Sequence, residues 1–170
     1  MMDIYIDRLN EQDAQELFKF ECNNRTFFEQ TVPGRGDDYY SFGTFEVRHK
    51  ELLKEQEDAI SSFYLIKDGS GTIVGRINLV DIDPINGTAH VGYRIGEKYT
   101  QRGIANKALK LLVNLAPELN VTQIHAKTTS DNLASQKVLV KNGFERTSIN
   151  EKISADTDQK LTFYHYSKNL

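Results

Sequence analysis

The sequence predicts a mixed α+β fold (α/β mixed) in which a central, mostly antiparallel sheet is flanked by helices. Two turn signals, at residues 68–71 and at Asn86-Gly87, join alternating apolar segments, as in antiparallel hairpins. Between residues 89 and 128 the hydrophobic period changes from two to about 3.6 and back, which is typical of a strand–helix–strand unit with parallel strands. The predicted order of elements is β-α-α-β-β-β-α-β-α-β-β.

Length and composition limit the class of protein. The chain has 170 residues, which suits one domain over residues 1–170, and its net charge of −3 argues against nucleic acid as a main partner. No apolar run approaches the roughly 20 residues needed to span a bilayer, so we expect no membrane segment. The acidic N-terminal segment argues against a secretory or transit leader, which favours a cytoplasmic location.

The single cysteine, Cys22, has no cluster of Cys or His residues around it in the sequence. We therefore expect no disulfide within the chain and no metal site. A free cysteine is among the most buried residue types, and we expect Cys22 to be a small buried side chain.

The elements of the first half follow from local patterns. Alternating apolar residues indicate strands, helical spacing after Asn10 or Asp13 indicates a capped helix, and clustered Pro, Gly and Asp indicate a loop. The expected elements are strands over 2–9, 63–66 and 73–80, a helix over 14–21, a loop over 33–38 and a less regular helix over 39–60.

The second half alternates strands and helices. Apolar residues at helical spacing from Ile104 to Ala116 predict a helix that Pro117 limits, and Gly143 suits the left-handed position after a later helix. Asp131 or Asn132 is the expected cap of that later helix. The remaining elements are a central strand over 89–95 and strands over 121–128, 144–153 and 161–167.

The junction between the central strand and its helix has the composition of an anion site. A helix N-terminus carries unpaired N–H groups and partial positive charge, and both favour a bound phosphate. Gly103 allows close approach of the backbone, Ala105 keeps the first turn uncrowded, and Arg102 and Lys98 add charge. A plain turn with one glycine has the same composition, so the junction alone leaves both interpretations open.

Three segments in order resemble the GNAT acyltransferase superfamily, and within it the RimJ/RimL-like branch, which acetylates N-terminal α-amino groups of ribosomal proteins. They are residues 91–105, 131–135 and 141–144, and Asn24-Arg25 with Pro33-Gly34-Arg35 extend the resemblance toward the N-terminus. The family loop begins with Gln or Arg, and here that position is Thr100, a departure from the pattern.

This resemblance implies a single GNAT-like domain with a splayed sheet and acetyl-CoA as co-substrate. The backbone at the end of the central strand would bind the pantetheine arm like an added strand, and one of its N–H groups would stabilise the oxyanion. Asn132 matches the family asparagine that contacts the cofactor. The expected acetyl-CoA-binding residues are Tyr93, Arg94, Ile95, Thr100, Gln101, Arg102, Gly103, Ile104, Ala105, Asn132 and Ser135.

The acid and the base are less well matched. Many relatives carry a tyrosine acid where this chain has Leu139. RimL-like enzymes have a serine near the sulfur three residues after the asparagine, and Ser135 matches it, so the resemblance implies Ser135 as proton donor or sulfur contact, with a packing role as the alternative. The base position of RimL-like enzymes is Ser154 here, so the base candidates are Glu151, which is close to it in sequence, and His90, which stands where many relatives have Glu. An N-terminal amine has a pKa near ~8, so a strong base is not essential.

Three functions remain open from the sequence. The first is acetylation of a protein N-terminus, and the second is acetylation of a small amine such as a polyamine, an amino sugar or an antibiotic. The third is a CoA-binding module without turnover. The fold alone does not choose among them. The oligomeric state is also open, with a homodimer as one arrangement.

Overall fold

A computed structural model describes residues 2–31, 33–155 and 157–170 of the chain. The strands are β1 (Ile4–Arg8), β2 (Ser62–Asp68), β3 (Ile73–Asp83), β4 (Thr88–Ile95), β5 (Gln123–Thr129), β6 (Glu145–Ile153) and β7 (Lys160–Asn169). The helices are α1 (Ala14–Asn23), α2 (Arg25–Glu29), α3 (Phe42–Glu57), α4 (Ile104–Leu115) and α5 (Leu133–Lys141).

The strands form one seven-stranded sheet in the order β1-β2-β3-β4-β5-β7-β6. All neighbouring strands are antiparallel except β4 and β5, which are parallel and are joined through α4. This confirms the mixed fold class and the predicted strand–helix–strand unit. The order of elements also matches, apart from the short helix α2, which the sequence analysis did not predict.

Each face of the sheet has its own apolar core. The first core lies on the α4 face and includes Ile77, Leu79, Val91 and the buried side of α4. The second joins β2 to α1, α2 and α3 through aromatic side chains, including Phe20, Phe28, Phe45 and Phe63. Burial of apolar area on both faces is the main stabilising contribution to such a three-layer fold.

The entry to α1 follows the predicted cap. Asn10 Oδ1 accepts a hydrogen bond from the Gln12 N–H at 2.9 Å, and the Asp13 carboxylate accepts from the Asn10 N–H at 2.8 Å. This capping box closes a single 3-10 turn over Glu11–Asp13, and α1 continues directly from it.

The interpretation of the second helical region was wrong in detail. The helix α3 covers Phe42–Glu57, which is shorter than predicted, and Val47 on the expected apolar stripe is 60% exposed. Buried polar residues take the place of apolar ones. His49 Nε2 lies 2.9 Å from the Asn10 carbonyl oxygen, and the Gln56 amide bonds the Leu9 carbonyl oxygen and the Phe63 N–H. Hydrogen bonds to these distant partners allow polar side chains to be buried at positions where the helical pattern predicts apolar ones.

The burial of Cys22 and the lengths of the apolar helices test two expectations from the sequence. Cys22 is half-buried rather than fully buried, and burial raises the pKa of its thiol. Within the part of the chain that the structure describes, no helix has the length and apolar character needed to cross a membrane.

We expect Leu112→Ala to lower the free energy of unfolding by about 2–5 kcal/mol, because it leaves a cavity where α4 packs on the sheet. Leu112 is 0% exposed, whereas its neighbour Leu111 is 37% exposed. Leu111→Ala is the matched control and should cost about 1 kcal/mol or less. Urea unfolding of both variants measures the difference, and equal losses would contradict the assignment of the core face of α4.

Candidate functional site

The parallel strands β4 and β5 separate after three residue pairs. Their register joins Thr88 to Gln123, Ala89 to Ile124 and His90 to His125, and it ends there. On its other side β4 stays paired with β3 as far as Ile95. Residues 91–95 of β4 therefore present a backbone edge without a β5 partner, as the predicted splay requires. A sheet edge of this kind can accept an extended ligand as an added strand.

The loop from β4 to α4 reaches a helix N-terminus with free donors. Gly103 has φ 73° and Gln101 has φ 60°, so the backbone turns sharply just before the helix. The Lys107 N–H donates to the Gly103 carbonyl oxygen at 3.1 Å. The N–H groups of residues 104–106, one turn earlier, have no acceptor among the described residues. Such a row of N–H groups binds anions, phosphates in particular.

The space beside this turn is open. No described atom lies within 4 Å of the position that a Cβ atom on Gly103 would occupy. Gln101, Arg102 and Gly103 are exposed, whereas Ile104 is buried in the core under α4 and holds the helix start in place. Arg102 lies toward the Tyr99 ring, with 5.9 Å between its guanidinium carbon and the ring centroid. The junction thus combines accessible donors with a rigid base.

The departure at Thr100 has a structural reason. Its hydroxyl donates a hydrogen bond to the Glu97 carbonyl oxygen at 2.9 Å, which closes the short turn over Glu97–Tyr99. The Thr100 side chain stabilises the loop through this hydrogen bond. The free N–H groups at the start of α4 belong to the backbone and do not require Gln or Arg at position 100.

Asn24 ties this loop to α1. Its Oδ1 accepts from the Glu97 N–H at 2.9 Å, and its Nδ2 donates to the Phe20 carbonyl oxygen at 2.8 Å. In the sequence, Asn24 was only part of the segment that resembles RimJ-type enzymes, and this contact was not predicted. Its role follows from a contact between residues 73 positions apart, which no local pattern indicates.

Tyr93, Asn132 and Ser135 meet where β4 faces α5. Asn132 Oδ1 accepts from the Ser135 N–H at 3.1 Å, so Asn132 is the N-cap of α5, as predicted. The Tyr93 hydroxyl lies 3.1 Å from Ser135 Oγ. Burial raises the pKa of Tyr93, although its hydrogen bond with Ser135 opposes this. Both hydroxyls therefore stay protonated at neutral pH and can donate.

The two base candidates lie in different places. His90 is exposed at the point where β4 and β5 separate, with its ring centroid 5.2 Å from that of His125. Burial, followed by the charge of His90, lowers the pKa of His125. Glu151 lies on the outer strand β6 and forms a 2.7 Å ion pair with Lys160. The structure therefore brings His90 to the splay and does not bring Glu151 there, and both catalytic roles remain predictions.

A buried ionic cluster on the opposite face of β4 was missed by the sequence analysis. The Glu21 carboxylate is fully buried and accepts from Arg76 Nη1 at 2.6 Å and from Arg94 Nη1 at 3.3 Å. Burial alone would raise the pKa of Glu21, but the charges of Arg76 and then Arg94 lower it overall. A carboxylate on the apolar side of α1, four residues after Leu17, was the available signal.

Comparison with known proteins agrees with this geometry. The family profile described as an acetyltransferase (GNAT) domain matches residues 3–145. The chain is 34% identical over 157 residues to the probable N-acetyltransferase YjcK of Bacillus subtilis, and the match covers 88% of this chain and 84% of that protein.

Solved structures share the whole fold. The ribosomal-protein-S5-alanine acetyltransferase of Vibrio fischeri superposes with a TM-score of 0.90 at 19% identity, covering 99% of this chain and 94% of that one. The spermidine N-acetyltransferase of Vibrio cholerae, in complex with CoA and spermine, has a TM-score of 0.81 at 15% identity, covering 98% and 95%. The family profile over residues 3–145 and the 34% identity to an N-acetyltransferase define an acetyltransferase, and the sheet that opens beside a helix N-terminus agrees with this class. The chain belongs to the GNAT family and is an N-acetyltransferase.

We expect Glu21→Gln to lower the free energy of unfolding at neutral pH by about 3–5 kcal/mol, because it leaves buried arginines without their counter-charge. The folded state lowers the pKa of Glu21 below its ordinary value of 4.5. The stabilisation is therefore present above that value and is lost as the pH falls through the lowered pKa.

Denaturant unfolding between pH 7 and pH 3 measures this effect, and the gap between wild type and Glu21→Gln should narrow as the pH falls. Glu16→Gln is the control, because Glu16 is exposed on the same helix and pairs only with exposed Lys19. A gap that stays constant with pH, or that Glu16→Gln reproduces, would overturn the electrostatic account.

Proposed function

We propose that this enzyme transfers an acetyl group from acetyl-CoA to the N-terminal α-amino group of a protein, with ribosomal proteins as the leading class. The observation that carries the cofactor part is the position of the β4 edge directly before the free N–H groups at the start of α4. The pantetheine arm and the pyrophosphate of one extended molecule need these two features side by side.

The residues present fit such a molecule. The N–H groups of residues 104–106 would hold the pyrophosphate, and Arg102 would add positive charge at the exposed side. The open space at Gly103 allows phosphate oxygens to reach the backbone. The β4 edge at Tyr93, Arg94 and Ile95 would hold the pantetheine arm by main-chain hydrogen bonds.

The reaction requires two proton movements. The amine nitrogen bonds to the acetyl carbon while the carbon–sulfur bond breaks, so the amine loses a proton and the sulfur gains one. His90 is exposed at the splay and, as a neutral imidazole, can take the proton from the amine. Ser135 is placed by the Asn132 cap, and its hydroxyl can donate to the sulfur while Tyr93 hydrogen-bonds to it.

Two observations bear on the acceptor: the activities named for proteins of the same fold, and the open face of the sheet at Gly92. One related structure is a ribosomal-protein acetyltransferase and another is a spermidine acetyltransferase, so acetylation of a small amine is the second candidate. An exposed Gly92 in the middle of the central strand leaves room for an extended peptide, which favours the protein N-terminus.

We expect Gly103→Glu to abolish the rise in melting temperature that acetyl-CoA causes in the wild type. The new side chain would place bulk and negative charge among the N–H groups at the start of α4. Gly36→Glu is the matched control, since Gly36 also has a positive φ of 81°, has no described atom within 4 Å of where its Cβ would be, and lies on the loop before α3. Retained stabilisation by acetyl-CoA in Gly103→Glu would contradict the loop assignment, and no shift in the wild type would contradict the cofactor.

We expect Ser135→Ala to reduce kcat by about 10²-fold or more, with a smaller change in acetyl-CoA affinity, because a positioned acid contributes that order of magnitude. Thiol release from acetyl-CoA with an N-terminal peptide measures the rate, and calorimetry measures the affinity. Ser148→Ala on the outer strand β6 is the control and should keep the wild-type rate. An unchanged kcat in Ser135→Ala would return Ser135 to a packing role.

A further inference from the structure

The face of β3 and β4 that points away from α4 carries an open patch in the middle of the sheet. The register sets Arg76 opposite Arg94, Asn78 opposite Gly92, and Val80 opposite His90, so these six residues share one face. Gly92 is exposed, and no described atom lies within 4 Å of where its Cβ would be. An uncovered position on the fourth of seven strands is a gap in the helical layer beside the splay.

An unpaired acceptor lies on the same face of the sheet as this gap. Asn78 Oδ1 is buried and has no hydrogen-bond partner among the described residues. Asn78 is the cross-strand partner of Gly92, so its side chain is beside the open patch. A buried carbonyl oxygen without a donor is destabilising, and an ammonium or amine N–H from a ligand would satisfy it.

Free cationic donors lie two residues further along the strand. Arg94 gives one N–H group to Glu21, its guanidinium carbon lies 4.7 Å from the Phe28 ring centroid, and its side chain remains 22% exposed. Its other N–H groups have no acceptor among the described residues. A guanidinium with free donors, held against an aromatic ring and partly shielded from water, is well suited to bind a carboxylate.

The local charge is positive. Arg35, on the loop before α3, is close enough for its charge to act on both Glu21 and Arg94. Arg35, Arg76 and Arg94 share this region with the carboxylate of Glu21, and the nearby Arg25 pairs with the two carboxylates of Glu29 and Asp37. Four guanidinium groups against three carboxylates leave one positive charge in excess.

We infer that this patch is the acceptor subsite and that it selects an amine carrying a carboxylate close by, as in a protein N-terminus with an acidic residue among its first three. This inference rests on the proposed acetyl transfer. Asn78 Oδ1 would hold the amine over Gly92, near His90, and Arg94 with Arg35 would hold the carboxylate.

The spacing agrees with this assignment. Gly92 and Arg94 are two residues apart in a strand, or about 6–7 Å, which is the distance that two residues of an extended peptide cover. The excess of positive charge also repels a polyamine, which carries several cationic groups and no carboxylate.

The test is a competition among matched acceptors. Peptides with Asp at position 2 or position 3 are compared with the same peptides carrying Asn, and spermidine is the third arm. We expect kcat/KM to be at least about tenfold higher for one Asp peptide than for its Asn partner, with spermidine poorest. Equal rates for the Asp and Asn peptides, or a preference for spermidine, would overturn the inference while leaving acetyl transfer intact.

Two variants locate the effect. Arg35→Gln should reduce the Asp-to-Asn ratio toward one, whereas Arg48→Gln should keep it, because Arg48 is an exposed arginine on α3 paired with Glu51. A ratio unchanged in Arg35→Gln would contradict the assignment of the anion subsite. Loss of transfer to every acceptor in the wild type, with no stabilisation by acetyl-CoA, would instead contradict the proposed function itself.

Discussion

The structure depends on the limited pairing of β4 with β5. Three residue pairs are enough to fix the parallel crossover through α4, and the strands then diverge. The divergence leaves main-chain groups of β4 without a partner in the middle of a sheet, where unpaired groups are normally avoided. The same divergence places the end of β4, the start of α4 and the start of α5 around one opening. The proposed cofactor site, the hydroxyl pair of Tyr93 and Ser135, and the proposed acceptor face all lie around that single interruption.

Alternation of side chains along β4 then gives the two faces of the sheet different chemistry. Tyr93 points to the α4 and α5 side, where it meets Ser135, and Arg94 points to the α1 side, where it meets Glu21. Residues that are neighbours in the chain thus serve opposite faces of the sheet. The two faces meet at the opening, which is where the proposed acetyl transfer takes place.

The sequence predicts those parts of this arrangement that are local. The helical period after Ile104, the glycine at residue 103 and the cap at Asn132 are each contained in a few consecutive residues, and the structure has all three. Comparable local signals were absent for α2, whose five residues begin directly after α1. The helix α3 was predicted, but its apolar face was not fully predicted, because His49 and Gln56 are buried by partners far away in the chain.

The ionic cluster of Glu21, Arg76 and Arg94 could not be predicted from the sequence for the same reason. Glu21, Arg76 and Arg94 are separated by 55 and 73 positions, and each one alone looks like an ordinary surface charge. Only the fold brings them into one low-dielectric cluster, where a single carboxylate holds two guanidinium groups. The resemblance supplied an expectation for cofactor contacts, including the backbone at Arg94, but none for an ion pair of the Arg94 side chain with Glu21.

The outer strand β6 protects the sheet against uncontrolled growth. A strand with one free edge is a template for pairing with other chains, and charged side chains make such pairing unfavourable. Glu145, Arg146, Glu151 and Lys152 are all exposed along β6, and the ion pair of Glu151 with Lys160 holds one of these charges in place. Glu151 is thus one of the charges that disfavour pairing of another chain at this edge.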